Sequence, residues 1–201
     1  ATRPADLPWW RVVTAAGRVT EYLYDAYGQR TATLTYDTFY AGAQTESAIG
    51  TWTAAQPADA TSRTDYTYSL DGQLATATVY GAVTAAHLGD TTSALNATTT
   101  YTYNAQGQLL TVDEPGKNGA TAGVTTYAYD GLGRQLSVRN TLNQLTLTSY
   151  DDANNKTTIA FANGLATVRT WDKAGNLISV LSSGAVAGSS TTTYAYDADN
   201  R

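Results

Sequence analysis

The chain lacks cysteine and methionine, and its 201 residues include one histidine and four prolines. Without cysteine there are no disulfide bonds and no thiolate metal ligands, so a zinc site would need an unusual set of carboxylates. No apolar run approaches the roughly 18–20 residues of a membrane-spanning helix, and residues 1–7 hold no positive start followed by an apolar core. We therefore expect no metal, no cofactor and no membrane insertion.

Charge is also scarce, because charged residues make up 14% of the chain, with a net charge of −5 and a pI near 4.6. A nucleic-acid-binding surface needs clustered Lys and Arg, so we expect no nucleic acid partner. An apolar share of 42% is enough for a folded, soluble protein. Since the sequence starts without Met and stops inside a repeat, we expect it to be a piece of a longer protein.

Threonine and tyrosine are abundant, with 36 and 15 copies, and both fit a pleated sheet. The tyrosines recur in a motif, Tyr-x-Tyr-Asp-x-x-Gly, that is clearest from Tyr22 to Gly28 and from Tyr127 to Gly133. Its Asp-type position falls at residues 25, 69, 104, 130, 151, 172 and 197, and the shortest interval is 21 residues. Such a period is the signature of a repeat architecture.

Each motif predicts one β-hairpin. The two tyrosines lie two residues apart, so in a strand both point to one face while the intervening residue faces the other way. The Asp, Asn or Ser that follows accepts hydrogen bonds from nearby backbone N–H groups, and the Gly supplies the positive φ of a type I turn followed by a bulge. Alternating residues such as Leu136-Ser137-Val138 then form the returning strand.

The array is predicted over residues 17–201, after a lead-in segment over 1–16, with about seven degenerate copies of which the last is truncated. Inserts near 41–63, 82–98 and 114–124 are predicted to be loops on one rim. The residues predicted to hold the repeats together are Tyr22, Tyr24, Asp25, Gly28, Tyr66, Tyr68, Gly72, Tyr101, Tyr103, Gly107, Tyr127, Tyr129, Asp130, Gly133, Tyr150, Asp151, Trp171, Asp172, Gly175, Tyr194, Tyr196 and Asp197.

These motifs resemble the YD-repeat or Rhs-repeat family, which includes bacterial Rhs proteins, the B and C components of toxin complexes, and teneurins. Gly17 and Gly164 each stand five residues before a motif and look like the family's leading Gly. The chain departs from the pattern where Asn154 replaces Gly and where Arg169 and Trp171 replace the Tyr pair. The family's Asp-Pro-x-Gly-Leu signature is absent, so no autoproteolytic residue is carried over.

The resemblance implies a β-strip that spirals into a hollow shell, which in toxin members encloses a C-terminal toxic domain. It implies as partners the flanking repeats and a C-terminal toxin or effector domain of the parent protein. It also implies a location outside the bacterial cell or on its surface.

Other residues with chemical potential have simpler interpretations. His87 lies in an insert, and the chain holds no Gly-x-Ser-x-Gly elbow, so we expect a loop histidine and no catalytic residue. The turn carboxylates could bind calcium, but none stands in a complete calcium loop and turn formation explains them. The four tryptophans are expected to pack in the sheet or core in preference to stacking on sugars. They are Trp9, Trp10, Trp52 and Trp171.

The sequence thus predicts an all-β protein of tandem antiparallel β-hairpin repeats, forming a curved strip of a larger YD-repeat shell. A set of β-propeller blades or a plain β-solenoid is the alternative. The predicted function is a non-catalytic scaffold that encloses or displays a toxin or effector polypeptide. The alternative is an extracellular adhesin or a glycan- or wall-binding module, in which exposed aromatics recognise a surface glycan or protein.

Overall fold

The computed structural model describes residues 9–116, 122–184, 188–197 and 199. Fourteen strands form one sheet in which every strand neighbours the strands before and after it in sequence, which confirms the all-β hairpin-repeat prediction. The strands are β1 (Trp9–Val13), β2 (Val19–Tyr24), β3 (Arg30–Tyr36), β4 (Thr61–Tyr68), β5 (Leu74–Val79), β6 (Ala97–Tyr103), β7 (Leu109–Glu114), β8 (Gly123–Tyr129), β9 (Gln135–Arg139), β10 (Leu145–Asp151), β11 (Lys156–Ala160), β12 (Ala166–Trp171), β13 (Leu177–Gly184) and β14 (Gly188–Thr193).

The chain divides into two compact units. Unit 1 comprises Ala1–Thr102 and Asp113–Ala122, and unit 2 comprises Tyr103–Val112 and Gly123–Arg201. In unit 1 the segment predicted as a lead-in contains β1, which pairs with β2 along its whole length, from Trp9 opposite Leu23 to Val13 opposite Val19. The hairpin array therefore starts before residue 17.

The first insert contains a helix, α1 (Glu46–Ala54), where the sequence predicted a loop. Thr45 caps it, because the Thr45 hydroxyl accepts a hydrogen bond from the Ala48 N–H at 3.3 Å. Ile49 and Thr53 are buried, and their spacing of four places them on one side of the helix. The other inserts also differ in extent, since β6 begins at Ala97, while residues 117–121 of the third insert lie outside the described residues.

The buried core belongs to unit 1 and lies between α1 and β2–β3. Its central residues are Val19, Leu34, Tyr36 and Ile49, and the half-buried Trp52 packs against them. Trp52 meets the rings of Tyr36 and Tyr40 edge to face, with centroid distances of 5.6 and 5.4 Å. None of the described helices is long and apolar enough to cross a membrane.

Unit 2 has no comparable core, since none of its described side chains is fully buried. Its strands pair as successive antiparallel hairpins from β8 to β14. Stability in such a layer comes from contacts between neighbouring strands, because no helix or second sheet in the described part of the unit covers it. The side chains that connect one hairpin to the next therefore determine how the hairpins of unit 2 are held together.

Candidate functional site: the aromatic face and its turns

The turn of each motif spans five residues, and the turn that starts at Asp130 is an example. Its carboxylate accepts hydrogen bonds from the N–H groups of Leu132 and Arg134 at 2.9 and 2.8 Å. The N–H of Gly133 donates to the Asp130 carbonyl at 3.0 Å, and the N–H of Asp130 donates to the Arg134 carbonyl at 2.9 Å. Gly133 has a φ of 82°, which a residue without a side chain adopts readily.

The same backbone hydrogen-bond pattern occurs in the turns at both ends of the hairpins. In each copy the fourth residue has a positive φ and donates to the carbonyl of the first residue. The copies with glycine at that place begin at Thr14, Asp25, Ser69, Asn104, Asp130, Phe161 and Asp172. Gly17 and Gly164, which sequence set apart as leading glycines, are the fourth residues of such turns at the opposite ends of the hairpins.

Two further copies were missed because they contain no glycine. Asn143, with a φ of 61°, closes the turn that starts at Asn140 and connects β9 to β10. His87, with a φ of 56°, closes a turn that starts at Thr84 inside the second insert. The Asn140 turn carried a usable signal, because the Asn140 side chain accepts from the N–H groups of Leu142 and Gln144 as Asp130 does in its own turn.

The turn after Tyr150 and Asp151 differs from the others. Asp152–Asn154 form a 3-10 turn, and Asn155 takes the left-handed conformation with a φ of 50°. The Asp151 carboxylate accepts from the side-chain amide of Asn154 at 2.7 Å, and this hydrogen bond lowers the pKa of Asp151. Here the replacement of Gly by Asn changed the kind of turn and kept the hairpin.

The second tyrosine of the motif connects successive hairpins. Tyr68, Tyr129, Tyr150 and Tyr196 each donate from the hydroxyl to the backbone carbonyl of a residue in the preceding hairpin. The acceptor always stands two positions after the turn glycine, and the acceptors are Arg30, Leu109, Gln135 and Leu177 at 2.9, 2.9, 3.1 and 2.9 Å. We call this recurrent bond the tyrosine staple.

The residue directly after the turn glycine makes a second connection. In unit 2 the Gln108 side-chain amide donates to the Gly133 carbonyl at 2.8 Å, and Arg134 pairs with Asp152 at 2.6 Å. In unit 1 a Cβ on Gly72 would stand 3.1 Å from Nε2 of Gln29. The turn glycine thus has two functions, since it adopts a positive φ and leaves room for the preceding repeat.

Arginines stack on the aromatic rings between hairpins. The Arg134 guanidinium lies 4.1 Å from the centroid of Tyr150, and that of Arg30 lies 4.4 Å from the centroid of Tyr66. The hydrogen bonds that Arg134 donates to Asp152 and then to Asp130 raise the pKa of Arg134 further above its ordinary value. These contacts hold the rings of neighbouring repeats at fixed positions.

The remaining predicted residues occupy the equivalent places. The first tyrosines of the motifs from Tyr22 to Tyr127 lie in even-numbered strands. The register puts Tyr22 opposite Thr33 and Tyr127 opposite Val138, in the returning strands of their own hairpins. Trp171 stands at the bulge that ends β12, where Tyr129 stands in β8. The other placements are Tyr24 at the end of β2, Tyr101 and Tyr103 in β6, and Tyr194 and Asp197 after β14.

The tyrosines and α1 lie on opposite faces of unit 1. Residues directly opposite each other in antiparallel strands point to the same face, so Tyr22 shares its face with Thr33 and Thr64. Glu21, Leu34 and Arg63 share the other face. Since Leu34 packs in the core with Ile49 of α1, the helix covers this second face. We call the two sides the Tyr face and the helix face.

The same register defines a Tyr face in unit 2. Tyr127 is opposite Val138, and Tyr150 is opposite Thr157, which is in turn opposite Arg169 and then Val180. A groove of about 720 Å³ opens between the turns that start at Asn104 and Asp130, and Tyr127 and Tyr129 line it together with Gln106 and Gln108. The groove combines aromatic rings with amide groups.

His87 and its surroundings form a polar cluster in unit 1. Its Nε2 lies 2.8 Å from the Gln56 carbonyl and so carries the proton, and its ring meets Tyr36 edge to face at 5.9 Å. The Tyr36 hydroxyl donates to Glu21 at 3.1 Å, and burial followed by the Glu21 charge raises the pKa of Tyr36 far above its usual value. The His87 ring contacts the Gln56 carbonyl and the Tyr36 ring, so its position fits a structural contact.

In the described part of the chain no three His, Asp or Glu side chains come together as a group that could hold a metal ion. Trp52 packs against two tyrosine rings in the core, and Trp10 and Trp171 are half-buried in strands. These tryptophans therefore occupy packing positions.

Comparisons with known proteins bear on the fold. No family model matches the chain, and no curated protein matches it. The structure titled "Crystal Structure of TcdB2-TccC3 without hypervariable C-terminal region" is similar at a TM-score of 0.61 and 17% identity, over 90% of this chain and 9% of that chain. A porin-like protein from Bacteroides uniformis matches at 12% identity over 92% of both chains, but its TM-score of 0.29 carries no argument. The fold is thus similar to a small part of the TcdB2-TccC3 structure.

Proposed function

We propose that this chain is a non-catalytic structural scaffold, a stretch of the wall of a YD-repeat shell that encloses or displays a toxin or effector polypeptide. The observation that carries the proposal is the repeated connection between hairpins. Tyrosine hydroxyls of four repeats donate to the hairpin before them, as Tyr129 does to Leu109 and Tyr150 to Gln135. Such nearest-neighbour bonds suit a wall that grows by adding identical units.

Two further findings support this function. The fold is similar to part of a toxin-complex component, of which this chain covers 9%. Turn formation accounts for the turn carboxylates, since those of Asp130 and Asp172 accept hydrogen bonds from N–H groups of their own turns. We place the parent protein outside the bacterial cell or on its surface, with a C-terminal toxin or effector domain as partner.

The test is electron microscopy of the full-length parent protein, combined with limited proteolysis. We expect a hollow particle and a protected internal polypeptide that becomes cleavable when the wall is unfolded. A particle without an internal cavity, whose C-terminal region is cut as fast as a free peptide, would exclude the shell.

A second candidate is an adhesin that binds glycan. The groove beside Tyr127 and Tyr129 favours it, because aromatic rings next to the Gln106 and Gln108 amides suit a sugar ring and its hydroxyls. Binding on a glycan array that Gln106→Ala abolishes, while the fold is unchanged, would support this candidate. Because Gln106 lies at an exposed turn position, Gln106→Ala should leave the fold unchanged. A loss of glycan binding in this variant would therefore report on the groove itself.

A further inference from the structure

A cavity of about 260 Å³ lies on the helix face of unit 1. Its floor is the sheet, where Glu21, Leu34 and Arg63 stand side by side in β2, β3 and β4. One side of α1 and the tip of the second insert, residues 86–88, form its walls. The cavity is therefore built from three parts of the chain that are separate in sequence and that the fold brings together.

Arg63 brings a guanidinium with unused donors to this floor. Its side chain is 12% exposed, and in the described part of the chain it donates to Asp65 at 2.6 Å and to the His87 carbonyl at 2.9 Å. A guanidinium has more N–H groups than these two acceptors use, and its planar fork matches a carboxylate with two parallel hydrogen bonds. Arg63 can therefore hold a carboxylate without giving up its protein contacts.

Glu21 brings a carboxylate to the same floor. One of its oxygens accepts from Arg11 at 3.0 Å, and the other accepts from the buried Tyr36 hydroxyl at 3.1 Å. A carboxylate has about four acceptor sites, so acceptor capacity remains after these two hydrogen bonds. An ammonium group, which has only donors, is the partner that such a carboxylate holds best.

The charges around the cavity nearly cancel. The guanidiniums of Arg11 and Arg63 are each paired with a carboxylate, that of Glu21 and that of Asp65. A dianion such as phosphate would be repelled by these carboxylates, and a simple cation would be repelled by the guanidiniums. A molecule with one charge of each sign is attracted at both places, so the site favours a zwitterion.

The size and the apolar lining of the cavity limit the ligand further. A water molecule takes about 30 Å³ of the liquid, so the 260 Å³ of the cavity hold roughly nine non-hydrogen atoms. Leu23, Leu34 and Leu88 line the cavity beside the charged groups, and they suit an aliphatic side chain. Amino acids of the size of valine and leucine combine these properties.

We propose that this cavity binds a small aliphatic α-amino acid, whose carboxylate pairs with Arg63 and whose ammonium group pairs with Glu21. The bound ligand contacts the sheet, α1 and the second insert together, and so it stabilises these parts against separating. This inference concerns unit 1 alone and does not depend on the proposed shell.

Calorimetric titration of the protein with L-valine tests the proposal. The matched probes are isovalerate, which lacks the ammonium group, and isobutylamine, which lacks the carboxylate. We expect each to bind at least about tenfold more weakly than L-valine, because one charged group of the site is left without its partner. Equal affinity for L-valine and either probe would overturn the zwitterion. No binding of L-valine at roughly 10 mM, which fills most sites of millimolar affinity, would overturn the site itself.

The turn that starts at Thr84 allows the cavity to be filled without touching its charged groups. Ala86 is the third residue of this turn and lines the cavity. Turns of the same kind carry Leu132 and Leu142 at that position, so Ala86→Leu should keep the turn. The larger side chain takes up space in the cavity, and the affinity for L-valine should fall at least about tenfold.

The matched control is Ala85→Leu, one residue earlier in the same turn. Ala85 is exposed and is not among the residues that line the cavity, and Leu70 occupies the equivalent position in the turn that starts at Ser69. Ala85→Leu should therefore bind L-valine as the parent does. Equal affinity of Ala86→Leu and the parent would show that L-valine binds elsewhere, which overturns the proposal.

Hydrogen exchange in the parent locates the ligand without any substitution. At about ten times its dissociation constant, L-valine should slow exchange in α1 and in residues 84–88 by about tenfold, because opening of these parts releases the ligand. Exchange in α1 that L-valine leaves unchanged, or slowing confined to unit 2, would overturn the proposed site.

Discussion

The hydroxyl of Tyr129 donates a 2.9 Å hydrogen bond to the carbonyl of Leu109, which lies in the preceding hairpin of unit 2. Tyr150 and Tyr196 make the equivalent bond to Gln135 and Leu177. Because unit 2 has no fully buried side chain among its described residues, these bonds are a repeated, directional link between its hairpins.

Removing the hydroxyl of Tyr129 should weaken that link and little else. We expect Tyr129→Phe to lower the free energy of unfolding by about 0.5–1.5 kcal/mol, the usual net value of a hydrogen bond. The matched control is Tyr127→Phe on the same strand, because no hydrogen bond joins the Tyr127 hydroxyl to the described residues. Equal stability of the two variants in urea denaturation would show that the staple contributes nothing measurable.

Gly133 should tolerate no branched side chain. Its φ of 82° costs an L-residue about 1–2 kcal/mol, and its Cβ would stand 3.1 Å from Nε2 of Gln108. Gly133→Val should therefore destabilise by at least roughly that amount.

Gly131 provides the control within the same turn. It does not have a positive φ, and a Cβ there meets no atom within 4 Å, so Gly131→Ala should change stability by less than about 0.5 kcal/mol. Thermal denaturation measures both variants. If Gly133→Val kept the parent's melting temperature and lost a function, the turn role of Gly133 would be wrong.

Acid should weaken the turn that Asp172 closes. The backbone N–H of Asn176, then its side-chain amide, donates to the carboxylate and lowers the pKa of Asp172. A lowered native pKa gives stability that is complete above the unfolded pKa near 3.9 and is lost as the pH falls through the lower native value.

Asp172→Asn should therefore flatten the acid side of the stability–pH curve. At neutral pH the change should be small, because Asn104 closes its own turn with a side-chain carbonyl. Melting temperatures between about pH 2 and pH 7 test this expectation, which spans the titration range of a carboxyl group. An unchanged slope in Asp172→Asn would show that this carboxylate does not couple protons to folding.

The hairpins could be predicted from sequence because the residues that determine each turn lie within a few positions of one another in the repeat. Two tyrosines on one face, an acceptor side chain and a Gly at the positive-φ position all predict the same turn at Asp25 and at Asp130. The Asn140 turn was missed because Asn143 substitutes for Gly at a positive φ, which the search for glycine passed over.

Non-local features were harder to predict. α1 was missed because its segment is rich in Ala, Thr and Gly, and its stability comes from the contact of Ile49 and Trp52 with strands distant in sequence. The tyrosine staples could not be predicted either, because the intervals between motifs vary. The acceptor is also a backbone carbonyl, which every residue has, so the sequence does not mark it. The sequence therefore predicted which residues form the Tyr face, but it did not predict the hydrogen bonds between them.

The second insert should hold α1 in place through His87. The His87 ring donates to the Gln56 carbonyl just after the helix and packs against Tyr36, while the His87 carbonyl accepts from Arg63 at 2.9 Å. We choose His87→Asn because Asn tolerates the φ of 56°, so the turn is kept while the ring contacts are lost. Hydrogen exchange should become faster in α1, by a factor corresponding to about 1–2 kcal/mol of local stability.

The control for His87 is its neighbour Leu88, whose side chain is 57% exposed. Leu88→Ala should leave exchange in α1 close to that of the parent, since little apolar surface leaves contact with the protein. Protection of α1 that is the same in His87→Asn and in the parent would mean that core packing by Ile49 and Trp52 alone holds the helix. Faster exchange in His87→Asn alone would show that two inserts, separated in sequence by β4 and β5, are stabilised as one structure on the helix face.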